Sequence, residues 1–177
     1  MPSSFKGREI SLEELLQSRD ARSLRQREIL GRFPEAALLC LTVILPGPVK
    51  RDSRSLVVAG AAMEAISERI GEVLHSEVHD LDTGFEAYYA VGAPAAEVKR
   101  LCCEIEDTHP LGRLMDLDVI VQEEDGLHPL SRGAVGLAER GCLVCGSSGR
   151  GCARSRAHSL GELNAKIASM LSDYSSA

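Results

Sequence analysis

The chain has no tryptophan and only 3% aromatic residues, so Leu, Val, Ile and Ala must fill any interior it buries. Long apolar runs are also missing: none approaches the roughly 20 residues needed to span a bilayer, which excludes a transmembrane helix from the expectation. Residues 1–20 are polar and mixed in charge, unlike a secretory signal. Positive charge is in deficit, and a net charge of −6 argues against nonspecific binding to nucleic acid, which needs a broad phosphate-neutralising surface. There is no internal repeat, and no low-complexity tract beyond a short Ser-rich C-terminus. With no sign of export, the six cysteines are expected as thiols or metal ligands in a cytoplasmic protein, not as a disulfide framework.

What is present suits one domain over residues 1–177, with 44% hydrophobic residues and enough chain for a substantial core. It divides into an N-terminal helical segment (1–34), an α+β core (35–122) and a Gly/Cys/Arg-rich loop with a final helix (123–177). Ser11 before Glu13 and Glu14 predicts a capped helix over 11–30, in which Arg19, Arg22, Arg25 and Arg27 crowd what reads as a solvated face. The apolar run 37–45 predicts a buried strand stopped by Pro46-Gly47-Pro48, and a loop with Lys50, Arg51 and Arg54 follows. Asp52 or Ser53 caps a second helix with apolar positions Leu56, Val57, Met63, Ile66 and Ile70, ended by Gly71. Strands over 73–79 and 85–91 flank a hairpin-like connection, Leu81-Asp82-Thr83-Gly84. Pro94 opens a third helix with the stripe Val98, Leu101, Cys102 and Ile105, broken by His109-Pro110. The order strand, helix, strand, strand, helix, strand predicts a split βαββαβ (ferredoxin-like) sheet with helices on one side. The Gly-rich connection 123–139 is expected as a loop or short hairpin, and 160–171 as an amphipathic helix docking through Leu163, Ile167 and Leu171.

The fourth predicted strand carries the most specific chemistry. Residues two apart on a strand share a face, so Asp116 and Asp118 point one way, while Met115, Leu117, Val119 and Val121 form an apolar face opposite. Two carboxylates this close repel unless solvent or a cation lies between them, and a hard divalent ion is held by such a pair together with substrate phosphates. Arg113 is placed for a bidentate phosphate contact, and Gly112 for close backbone approach. The alternative is a strand with one solvated polar side.

Cys142-Leu-Val-Cys145, followed by Cys152 and His158, is a candidate tetrahedral zinc site of compressed spacing, with unligated thiols or a redox pair as the other readings. Cys40, Cys102 and Cys103 fall in apolar patterns and are expected in or near the core. Arg140, Arg150, Arg154 and Arg156 lie between Glu139 and Glu162 with no acidic residue among them. This cluster suits a polyphosphate or an acidic protein surface, or is an ordinary exposed basic loop.

These motifs taken in order resemble the holo-citrate lyase synthase family, the apo-citrate lyase phosphoribosyl-dephospho-CoA transferases. The resemblance rests on His109-Pro-Leu-Gly-Arg-Leu114 running into Asp116-Leu-Asp-Val119, on Cys142-Leu-Val-Cys145, Cys152-Ala-Arg154 and His158-Ser159. Ser18-Arg-Asp-Ala-Arg22 with Gln26, Pro46-Gly-Pro-Val-Lys50 and Leu130-Ser-Arg132 add to it. Loops 123–128 and 146–151 depart from the pattern. The resemblance implies that a serine of the acyl-carrier (γ) subunit of citrate lyase attacks triphosphoribosyl-dephospho-CoA and displaces diphosphate. It implies magnesium on Asp116 and Asp118, with Glu106 and His109 as candidates for a third ligand or proton acceptor. Lys50, Gly112, Arg113, Arg132, Arg154 and Arg156 become candidate substrate contacts, the arginine cluster clamping the precursor or receiving the acidic carrier. The equivalent transferase for the malonate decarboxylase carrier, and a noncatalytic zinc-stabilised carrier-binding module, are the competing readings.

Overall fold

Three helices start at reciprocal capping boxes that the sequence itself supplies. In a computed structural model, which describes residues 7–176, Ser11 Oγ accepts the Glu14 N–H at 3.2 Å and Glu14 accepts the Ser11 N–H at 2.9 Å, opening α1 (Leu12–Arg32). Asp52 caps α2 (Ser53–Arg69) by accepting the Arg54 and Ser55 N–H groups at 2.8 and 3.3 Å. Ser159 and Glu162 do the same for α5 (Leu160–Ser175). Between them lie β1 (Ala37–Val43), β2 (Val73–Leu81), β3 (Gly84–Val91), α3 (Ala95–Thr108), β4 (Met115–Glu123), β5 (Gly126–Pro129) and α4 (Gly149–Ser155).

The fold is α+β: one antiparallel sheet of five strands in the order β2-β3-β1-β4-β5, with five α-helices among the described residues. α2 and α3 cover one face, burying Leu39, Leu41, Val58, Ile66, Val98 and Ile105 with Leu117 and Val119 of β4. α1 lies over the other, where Ile29 joins Leu38, Cys40, Tyr88 and Ile120. The two helices of the strand, helix, strand, strand, helix, strand core, α2 and α3, thus share one side of the sheet, and the N-terminal helix α1 takes the other. Ion pairs add to that apolar contact: Arg22 meets Glu86 at 2.8 Å and Arg25 meets Glu77 at 3.1 Å, while Leu12, Leu16 and Leu24 stay exposed.

Other departures have local causes. α2 buries Val58, Ala59, Ala62 and Ala65 and leaves Leu56 and Val57 exposed, because small side chains let the helix lie close to the sheet. β1 ends at Val43, short of the expected Leu45: the Ile44 N–H still reaches Leu114 O at 2.9 Å in the same register, but Leu114 belongs to the 3-10 turn Gly112–Leu114, where the partner strand has not yet begun. The 123–139 connection contains β5, which pairs only with the 120–123 end of β4. Cys40, Cys102 and Cys103 are buried as expected. No described helix is long and apolar enough to cross a membrane.

Candidate active-site cleft

Because β5 covers only one end of β4, the other end has a free edge whose backbone groups need partners from elsewhere. Side chains supply them. Glu106, 3% exposed, accepts the Leu117 N–H at 2.9 Å, and the buried Lys99 donates to Leu117 O at 3.0 Å. Arg140 donates to Met115 O at 2.9 Å and to Gly112 O at 2.8 Å, and the Leu130 N–H reaches Val119 O at 2.7 Å. Glu106 also receives Arg132 at 2.9 Å, and Arg132 pairs with Asp107 at 2.8 Å. The sealed edge forms the floor of a cleft of about 850 Å³.

Asp116 and Asp118 stand together on this cleft, opposite Thr42 and Cys40 of β1 in the strand register. Both are half-buried, as the shared strand face requires. Thr42 Oγ1 donates to Asp116 at 3.5 Å, and Lys99 Nζ lies 3.8 Å from Asp118. Burial, and then the neighbouring Asp118 charge, push the Asp116 carboxyl above the ordinary aspartate value; Arg140 and Lys99 oppose the shift. Arg113 donates to Gly141 O, and no other protein partner engages it among the described residues. Burial and the nearby Arg140 and Arg132 depress its pKa, so its surroundings favour an added anion.

The structure thus brings Asp116, Asp118, Arg113, Arg132 and Glu106 to one cleft. Glu106 is committed to the strand edge and its arginines. Lys50 does not line the cleft: its ammonium donates to Leu45 O at 2.8 Å, and burial and Arg19 lower its pKa. His109 is also outside it, accepting the Leu111 N–H at 3.0 Å with its ring against Tyr174; it shapes the exit from α3. Gly112 is buried, and a Cβ there would lie 2.4 Å from Glu106 O, so its close approach is to the end of α3. Arg154 and Arg156 are exposed and are not among the residues that line the cleft. Sequence reasoning passed over Lys99 and left Arg140 inside a generic basic run. Their signal was available in part: Lys99 and Glu106 are seven apart on α3, two polar residues flanking its apolar stripe.

The opposite wall holds the sulfur ligands. Cys142, Cys145, Cys152 and His158 place their ligand atoms within 4.8 Å of one another, a Cys3His group able to bind a metal such as zinc. Cys145 Sγ lies 3.6 Å from Cys152 Sγ and 3.4 Å from His158 Nε2. Hydrogen bonds from Ser147, then His158 and Cys152, bring the Cys145 thiol down to about 6, and the Cys142 thiol is lowered by the backbone N–H groups of Cys145 and Val144.

The sequence model of the family described as apo-citrate lyase phosphoribosyl-dephospho-CoA transferase matches residues 10–174 of this chain. A Vibrio cholerae serotype O1 (strain M66-2) protein named "Probable apo-citrate lyase phosphoribosyl-dephospho-CoA transferase" is 42% identical over 171 residues, covering 94% of each chain. A protein of the same name from Streptococcus pyogenes serotype M3 is 33% identical over 172 residues, 96% of this chain and 90% of the relative.

Proposed function

The chain belongs to the apo-citrate lyase phosphoribosyl-dephospho-CoA transferase family, and from that membership we propose that it is the enzyme that attaches the phosphoribosyl-dephospho-CoA group to apo-citrate lyase. The acceptor in this reading is a serine of the acyl-carrier γ subunit, and the donor is triphosphoribosyl-dephospho-CoA. The serine oxygen forms a bond to the innermost phosphorus, the bond from that phosphorus to the bridging oxygen breaks, and diphosphate leaves with the electron pair. The serine proton passes to solvent or to a carboxylate. The whole chain acts as one transferase domain in the cytoplasm, with strand order 2-3-1-4 read as the split βαββαβ (ferredoxin-like) core.

The observation that carries the mechanism is the pair Asp116 and Asp118 in a cleft lined by Lys99, Arg113, Arg132 and Arg140. The pair fits a magnesium ion: two half-buried carboxylates share one strand face, and Asp116 resists ionisation beside Asp118. Bound there, magnesium supplies charge neutralisation for the triphosphate and the departing diphosphate. Arg113 has donors to spare and holds a phosphate oxygen, while Arg140 and Lys99 fix the strand edge that aims the carboxylates. Arg132 contributes positive field from its station on Glu106 and Asp107. Arg154 and Arg156, exposed and outside the cleft lining, receive the acidic carrier. Cys142, Cys145, Cys152 and His158 hold a structural zinc ion.

The deciding measurement is intact-mass spectrometry of the apo carrier incubated with the protein, the precursor and magnesium. The expected result is one phosphoribosyl-dephospho-CoA adduct per carrier, formed about 10²–10³ times more slowly by Asp116→Asn, the scale of losing one electrostatic stabiliser. No adduct with the native chain, or an equal rate with the variant, overturns the reading.

A further inference from the structure

The cleft wall carried by residues 136–166 has little apolar anchorage, with Leu143 as a half-buried contact to the core. No side chain from residue 136 to 166 is buried, and α4 contributes none at all. A segment that cannot bury enough apolar surface needs another staple to hold one conformation. Yet this segment lines the cleft through Cys142, Leu143, Arg150, Cys152 and His158.

The staple is legible in the sulfur and nitrogen positions. With bonds of about 2.3 Å to sulfur and about 2.0–2.1 Å to nitrogen, a tetrahedral zinc ion sets ligand atoms about 3.8 Å apart for sulfur pairs and about 3.6 Å for sulfur and nitrogen. The separations of 3.6 and 3.4 Å in this chain sit close to both. The four ligands come from three separate pieces. Cys142 and Cys145 flank a turn closed by the Gly146 N–H on Cys142 O at 3.0 Å, Cys152 lies on α4, and His158 immediately precedes the Ser159 cap of α5. On the inner side of the same turn, Gly141 O receives Arg113, and Arg140 seals Met115 O and Gly112 O.

We propose that a zinc ion on Cys142, Cys145, Cys152 and His158 clamps residues 139–159 into a cleft wall and so keeps Arg113 and Arg140 at their stations beside Asp116. The ion touches no reacting group; Arg113 and Arg140 are the positioned residues. The proposal rests on the transferase reading only in taking this cleft as the precursor's, and the metal site stands independently of it.

The test uses the full-length chain as purified, the same chain stripped by chelator, and Cys145→Ser. Metal content is read by elemental mass spectrometry, local order by hydrogen–deuterium exchange, and binding by calorimetry with 3'-dephospho-CoA as the probe. About one zinc per native chain is expected. Stripping and Cys145→Ser should each speed exchange over 139–159 at least about 10-fold while peptides from β1 and β3 stay protected, and should weaken dephospho-CoA binding about 10-fold, as loss of supporting shells does. Added zinc should restore the stripped chain and not the variant. A native chain that takes up no zinc, or one whose 139–159 exchange is the same with and without it, overturns the proposal. Normal zinc content and protection in a chain that modifies no carrier would overturn the transferase reading and leave this one standing.

Discussion

On the β4 side of the cleft, Met115, Leu117 and Val119 are wholly buried beneath Asp116 and Asp118, whereas across the cleft no side chain from residue 136 to 166 is buried. The first wall is held by apolar packing against α2 and α3, with the outward Leu117 N–H, Leu117 O and Met115 O of β4 taken by charged side chains. The second is held by hydrogen bonds, a Gly141 to Ser148 bridge and the convergence of three thiols with one imidazole. Packed cores fail cooperatively and stapled loops fail locally. The two walls are therefore expected to respond separately to substitution, and each difference can be broken or sharpened by experiment.

The largest effect is expected at Glu106, where both walls meet. Glu106→Ala removes the acceptor of the Leu117 N–H and leaves Arg132 without its buried partner, so urea denaturation should show a loss of about 3–5 kcal/mol. Glu106→Gln keeps an oxygen for Leu117 and should lose clearly less. Equal losses would mean that charge, and not the edge hydrogen bond, sets the wall.

Next comes the cost of holding Asp116 where it is useful. Its pKa is raised in the folded chain above 3.8, so between those two values the folded state binds more protons than the unfolded one, and stability falls as pH rises. Above that window the ionised carboxylate carries the full penalty. Asp116→Asn, expected to be slow in transfer, should thus be more stable than the native chain at neutral pH without magnesium, by on the order of 1 kcal/mol in urea denaturation. The gain should shrink as pH drops through the folded and then the unfolded value and be gone about one pH unit below the latter, where both states of the native residue are protonated. A variant less stable at neutral pH would show that the Thr42 contact outweighs the strain of the pair.

The smallest effect is expected at Arg154, exposed on the Cys/His-bearing segment and outside the cleft lining. Arg154→Glu should leave stability within about 0.5 kcal/mol, since the side chain is exposed, and should raise the apparent KM for the carrier several-fold with the precursor KM unchanged. A raised precursor KM would move Arg154 from carrier docking to the cleft.

Much of the first wall was legible in the chain. Alternation over 115–119 set two carboxylates on one face and three apolar residues on the other, and Ser11, Asp52 and Ser159 marked three helix starts. The resemblance over several ordered motifs pointed to the family that the comparison bears out. Periodicity misled where packing distance or charge took over. The alanine face of α2 displaced the larger Leu56 and Val57, and α1 reached the sheet through Ile29, Leu30 and its ion pairs, with Leu12, Leu16 and Leu24 left outside. Gly112 and His109, beside the acidic pair in the chain, and Lys50, joined to it through the resemblance of the 46–50 loop, were expected at one site, but in the structure they serve helix contact, the exit from α3 and loop closure.

The sequence by itself determined what depends on neighbours along the chain: helix caps, the two-residue repeat of β4, and the Cys-x2-Cys turn. Only the tertiary structure decided which of these meet. The edge of β4 is left open by the shortness of β5, and an unpaired edge must be satisfied by whatever polar groups lie across it. That requirement brought Lys99 and Glu106 from α3, and Arg140 from beyond β5, to the two aspartates. No local pattern encodes such a meeting, because it is set by where strands stop and helices cross.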